Sequence, residues 1–123
     1  MKSTTILALV MGVQLAILHA IALKFSLYWE ISWFDNLVHT FGGVVLSLLL
    51  YTLVDIRILT ARWVESIVRV SALILIVILG WEVLGVIMVQ GFKENFITDT
   101  TFDLLFGIVG SVIGWFIGRQ LRK

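Results

Sequence analysis

With 123 residues, 60% of them hydrophobic, and a mean hydropathy of +1.08, the chain carries more apolar surface than a water-soluble domain of this size can bury. The absence of cysteine excludes disulfides, thiolate metal sites and cysteine nucleophiles, and the absence of proline suits uninterrupted helices. A net charge of +1 says nothing about nucleic acid, which is not expected as a partner; where the charges fall is more informative.

A spanning helix needs roughly 20 mostly apolar residues, so the chain has room for about four spans and short loops. The expected architecture is an all-α integral membrane protein, a four-transmembrane-helix bundle in one membrane domain over residues 1–123. The first span is expected over about residues 5–28. Its apolar run is long for a signal-peptide core, so it reads as a retained span despite Lys2 and Ala20-Ile21-Ala22. A short polar turn, Trp29-Glu30-Ile31-Ser32-Trp33, leads to a second span over about 35–55. The next segment mixes Arg57, Arg62, Trp63, Glu65 and Arg69 with apolar residues and reads as a loop lying at the membrane surface. A third span follows over about 70–89, then a turn of Gly91, Lys93, Glu94 and Asn95, and a fourth span over about 99–117.

Lys and Arg set the orientation. With four spans, the termini and the middle loop share one side, which holds Lys2, Arg57, Arg62, Arg69, Arg119, Arg122 and Lys123. The other side holds Lys24 and Lys93. The expectation is a cytoplasmic (inner) membrane protein with both termini cytoplasmic. Trp29, Trp33, Trp63 and Trp115 fall near span ends, where interfacial anchors belong.

Most acidic residues fall toward the outer side. Asp35 and His39 are four apart at the start of the second span, hence on one helix face, and Asp99 and Asp103 are four apart at the start of the fourth. Continuing each stripe gives Asp35, His39, Gly43, Ser47 and Asp99, Asp103, Gly107, Ser111. The two stripes are separated by 64 residues, and Glu30 matches Glu94 at the same offset, which suggests an internal repeat of two helical hairpins. Gly42, Gly43, Ser47, Gly107, Gly110, Gly114 and Gly118 are small residues at helical spacing, the pattern that lets helices approach closely in lipid. Acidic and small-residue stripes coincide, so these polar groups should point at neighbouring helices. Glu82, in Gly80-Trp81-Glu82, lies about 10 Å inside the outer boundary at 1.5 Å per residue, and nothing local explains a carboxylate there.

Asp35, His39, Glu82, Asp99 and Asp103 therefore form the candidate catalytic or metal-binding cluster, in the outer half of the bundle. Carboxylates and an imidazole are ligands for a divalent ion such as Zn²⁺, Mn²⁺, Fe²⁺, Mg²⁺ or Ca²⁺, the candidate cofactor. With a bound water, such an ion drives hydrolysis at a lipid headgroup. Without one, crowded carboxylates at low dielectric share protons, which suits acid–base work or proton transfer. The plainer readings are that Asp35 and Asp99 cap helices or favour their dipoles, and that His39 is a hydrogen-bonded packing residue. His19 reads as structural. A bis-histidine haem between His19 and His39 is disfavoured by the acidic neighbours, and no nucleotide motif is present. The basic middle loop reads as an orientation signal, with anionic-lipid contact as the lesser option.

The run Trp33-Phe34-Asp35-Asn36-Leu37-Val38-His39-Thr40-Phe41-Gly42-Gly43 resembles the Asp-x-x-x-His-x-x-Gly-Gly opening of VanZ-like membrane proteins and of small inner-membrane proteins of the YjdF type. Trp81-Glu82, then Asp99 and Asp103 with Gly107 and Gly110, continue the resemblance in order over roughly residues 30–118. Where that pattern often has a second acid after Trp-Glu and an Asn before the last glycines, this chain has Gly85 or Val86 and Leu105 or Phe106. VanZ is associated with glycopeptide resistance, so the resemblance implies an envelope or lipid-linked role.

Three functions fit the pattern. The first is an envelope protein whose cluster binds or acts on a lipid or lipid-linked precursor. The second is a proton-coupled or ion transporter working as a homo-oligomer. The third is a structural or accessory subunit whose polar residues are interhelical glue.

Overall fold

The computed structural model describes residues 2–90 and 96–122. The turn of Gly91, Lys93, Glu94 and Asn95, and Lys123, lie outside the described residues. Six α-helices follow in order: α1 (Ser3–Lys24), α2 (Leu27–Glu30), α3 (Phe34–Asp55), α4 (Arg62–Glu65), α5 (Ile67–Gly85) and α6 (Phe96–Leu121). A π-helical turn, Val86–Gln90, extends α5. Four stretches are long and apolar enough to cross a membrane: Ser3–Lys24, Phe34–Asp55, Ile67–Met88 and Ile97–Leu121. Away from their ends, helices satisfy the backbone N–H and C=O groups within the segment, which hydrocarbon demands.

The first helix stops at Lys24, four residues short of the expected end. Ser26 takes a left-handed conformation, φ 56°, and re-aims the chain into α2, so the expected polar turn is half helical. The segment after α3 is likewise more built than a surface loop. The N–H of Arg57 donates to Val54 O at 3.0 Å and that of Ile58 to Leu53 O at 2.9 Å, closing α3 with a Schellman turn. That motif places its penultimate residue in the left-handed region, and here it is Arg57, φ 66°, where glycine is usual. α4 then packs on α3 and α5 and is tied to α6 by one bond, the Trp115 indole N–H donating to Val64 O at 2.8 Å.

The bundle centres on α3 and α6, with α1 against α3 and α5 against α6. Contacts run in the same order along both central helices, so they are parallel: Gly43 meets Gly110, Ser47 meets Gly114, and Tyr51 meets Gly118. Equivalent positions of the suggested repeat face each other. Ser47 Oγ donates to Ser111 O at 2.9 Å and Tyr51 OH to Trp115 O at 3.0 Å, each 64 residues apart. The hairpins α1–α3 and α5–α6 are thus arranged about an approximate two-fold axis along the α3–α6 seam. A Cβ on Gly114 would lie 2.6 Å from Val44 O, and one on Gly110 would overlap the Thr40 carbonyl, so this backbone approach requires glycine.

Apolar packing flanks the seam. Ala8, Val44 and Leu48 bury one side with Leu7, Met11 and Ile117. Val70, Ile74 and Ile78 bury the other with Leu46, Leu50, Leu104 and Trp115. The outward faces remain apolar and exposed, as Val10, Val13 and Ile17 on α1 and Val68, Ile76 and Val77 on α5 illustrate. That is the surface a lipid-embedded bundle presents.

Candidate metal centre

Above the glycine contact, where no methyl group intervenes, α3 and α6 carry polar side chains into the seam. His39 sits one turn after Asp35 on α3, and the helical repeat stacks them on one face. Asp103 is the residue equivalent to His39 in the second hairpin, so the two-fold arrangement places it directly opposite. His39 Nε2 lies 3.2 Å from Asp103 Oδ1 and 3.4 Å from Asp35 Oδ1. One ligand atom from each of the three lies within 4.8 Å of the others. The Asp103 side chain is only 8% exposed and His39 18%, whereas Asp35 is 45% exposed, so the group opens outward on the Asp35 side. Glu82, half-buried on α5, and Asp35 are the carboxyl neighbours of Asp103.

Four of the five expected residues therefore come together. Asp99 does not: it is exposed in the first turn of α6 and stands outside the group. Nor does Asp35 cap its helix. Trp33 is the cap residue and offers no side-chain bond, while the Asp35 carboxylate is turned to His39. His19 is exposed and paired elsewhere, its Nδ1 2.7 Å from the Tyr28 hydroxyl.

Two residues carried no signal in the sequence. Tyr28, on α2, packs edge-on against Phe34 and feels the charge of Asp35. Burial first, and Asp35 second, hold its phenol above the ordinary tyrosine value. Thr100 precedes Asp103 by one turn on the same buried stripe, and its hydroxyl is buried with no hydrogen-bond partner among the described residues. Only its spacing from Asp103 could have marked it.

An imidazole nitrogen and carboxylate oxygens converging from two helices form a donor set that fits a divalent ion. Tetrahedral coordination with bonds of 2.0–2.1 Å separates neighbouring ligand atoms by about 3.4 Å. The 3.2 and 3.4 Å spacings around His39 Nε2 are near that edge and are equally those of an imidazole paired with two carboxylates; the three ligand atoms all lie within 4.8 Å of one another.

Over residues 2–123 the chain matches the family model described as predicted membrane protein DUF2238. The chain belongs to that family. No curated protein and no solved structure matches it. For this DUF2238 member the family match agrees with the four spanning helices; the resemblance of the Asp35–Gly43 run to VanZ-like and YjdF-type proteins is a finer assignment than that match.

Proposed function

We propose that this protein is a divalent-metal-dependent membrane protein that binds or acts on a lipid or lipid-linked cell-envelope precursor. The observation that carries the reading is the convergence of Asp35, His39 and Asp103 at ligand–ligand spacings suited to one ion. His39 Nε2, Asp103 Oδ1 and Asp35 Oδ1 are the proposed ligands, and Glu82 the acid that orients Asp103 or completes the shell. Such an ion would polarise a phosphoryl or carbonyl oxygen, or activate water. The Lys and Arg bias supports both termini in the cytoplasm, which puts Asp35 at the outer headgroup level. The resemblance of the Asp35–Gly43 run to VanZ-like proteins supports the envelope role.

Metal content of the purified protein in detergent tests the reading. Near-stoichiometric divalent metal is expected in the wild type, lost in His39→Ala and Asp103→Asn while both variants stay monodisperse. Wild-type protein that stays metal-free after incubation with Zn²⁺ and Mn²⁺ overturns it.

The transporter reading draws on one observation, the two-fold arrangement of the hairpins, a trait of carriers built from repeats. The Gly43–Gly110 contact closes the seam directly beneath the cluster, so a path for ions would need a second copy. Ion or proton flux in liposomes is its test. Interhelical glue is already supplied deeper in the bundle by Ser47, Tyr51 and Ser71, the last 3.2 Å from Ser111.

A further inference from the structure

The opposite end of the bundle carries a second polar feature, and its charge is reversed. A cleft of about 340 Å³ opens there, lined by Lys2, Ser3, Thr4, Leu121 and Arg122. Three of these residues, Lys2, Thr4 and Arg122, contact Asp55, whose side chain is only 5% exposed. Arg122 Nη1 pairs with Asp55 Oδ1, Lys2 Nζ lies 3.7 Å from the same oxygen, and Thr4 Oγ1 donates to Oδ2 at 2.9 Å. One carboxylate thus faces two cations. Lys2 is 67% exposed and Arg122, which also lies over the Tyr51 ring, 29%, so both stay accessible from outside. Arg119, stacked 5.1 Å over the Trp115 ring, adds a third cation to the same end. The first turn of α1, which begins at the cleft, contains no acidic residue, and Lys2 gives it no side-chain cap, so the positive end of the helix dipole is not offset there.

We infer that this cleft binds the phosphate of an anionic phospholipid headgroup. The excess positive charge of Lys2 and Arg122 over Asp55 and the exposed Ser3 hydroxyl, free of the bond that commits Thr4 to Asp55, are what an oxyanion takes. The cleft lies where α1 begins and α6 ends, hence at the level where headgroups meet spanning helices, and Leu121 on its wall continues into the apolar flank. Recognition through the phosphate selects phosphatidylglycerol over phosphatidylcholine, because the choline of the latter brings a cation against Lys2 and Arg122. The inference is independent of any metal at the other end.

Native mass spectrometry of the full-length protein tests it, from micelles holding phosphatidylglycerol and phosphatidylcholine in equal amounts. Preferential retention of phosphatidylglycerol is expected. Lys2→Gln should lower that retention about five-fold, the effect of one basic residue at an anionic membrane surface. Lys2→Arg should preserve it. Lys2 is largely exposed and Arg122 still covers Asp55, so Lys2→Gln is expected to fold; Ser3→Ala, also at an exposed position, is the second probe and should weaken retention in the same direction. Displacement of the lipid by inorganic phosphate supports recognition through the phosphate. Equal retention of both lipids, or phosphatidylglycerol retention unmoved in both Lys2→Gln and Ser3→Ala, overturns the proposal. Inorganic phosphate binding without lipid retention overturns the lipid as occupant.

Discussion

The two ends of the α3–α6 seam hold buried carboxylates in opposite company. Asp55 is met by Arg122, Lys2 and Thr4, groups that donate to it and carry the compensating charge. Asp103 is met by an imidazole and by two further carboxyls, Asp35 and Glu82. The first arrangement is complete once the chain has folded: it ties the start of α1 and the end of α6 to the end of α3. The second concentrates acceptors, and acceptors gain most from an added cation. Both ends depend on the same glycine contact, which sets how near the two central helices stand.

Breaking that contact should abolish the comparison altogether. Gly110→Leu drives a side chain into the Thr40 carbonyl and should cost more than about 3 kcal/mol, the upper range for overpacking. The expected outcome is loss of the monodisperse peak in size-exclusion chromatography, with metal binding gone as well. A correctly folded variant would show that the seam is less tight than described.

The two aspartates should then separate by readout. Asp103→Asn should lower divalent-metal affinity at least about 100-fold, since disturbing the outer shell alone costs 10–100-fold, while thermal stability without metal changes little. Asp55→Asn should do the reverse. It removes the charge that Arg122 and Lys2 face and should cost about 2 kcal/mol in thermal or denaturant unfolding, leaving metal affinity unchanged. It should also strengthen anionic-lipid retention at the cleft. If each variant moved both readouts equally, the ends would not be the independent devices described above.

Smaller effects sharpen the picture. Arg57→Gly relieves a left-handed conformation in the turn that ends α3 and should raise stability by about 1 kcal/mol, because that region costs a side-chain-bearing residue about 1–2 kcal/mol. The most modest effect concerns Tyr28. Its phenol is held above the ordinary value, so the folded chain binds that proton more tightly than the unfolded chain. The corresponding stability is fully present below the unfolded value near pH 10 and is lost as pH rises through the higher folded value. Tyr28→Phe should remove that alkaline loss, visible as a flatter plot of unfolding temperature against pH, and should free His19 Nδ1 from its 2.7 Å partner.

The sequence by itself determined that the chain crosses a bilayer as helices, because four long apolar stretches without proline leave no other way to satisfy the backbone in lipid. It also placed Asp35 with His39, since a spacing of four stacks side chains on one face. The 64-residue offset pointed to a repeat of two hairpins, and the structure then set equivalent positions against each other, Ser47 on Ser111 and Tyr51 on Trp115. Only the tertiary structure decided that Asp103 enters the cluster and Asp99 does not. Both lie on the α6 stripe, but Asp99 is one turn nearer the helix start, where the side chain remains exposed. The same holds for Glu82, whose approach to Asp103 depends on how α5 is rotated against α6. The Asp55 clamp was invisible as well. Its partners lie 51 and 67 residues away, and no local period relates a helix end to the two segments that happen to finish beside it.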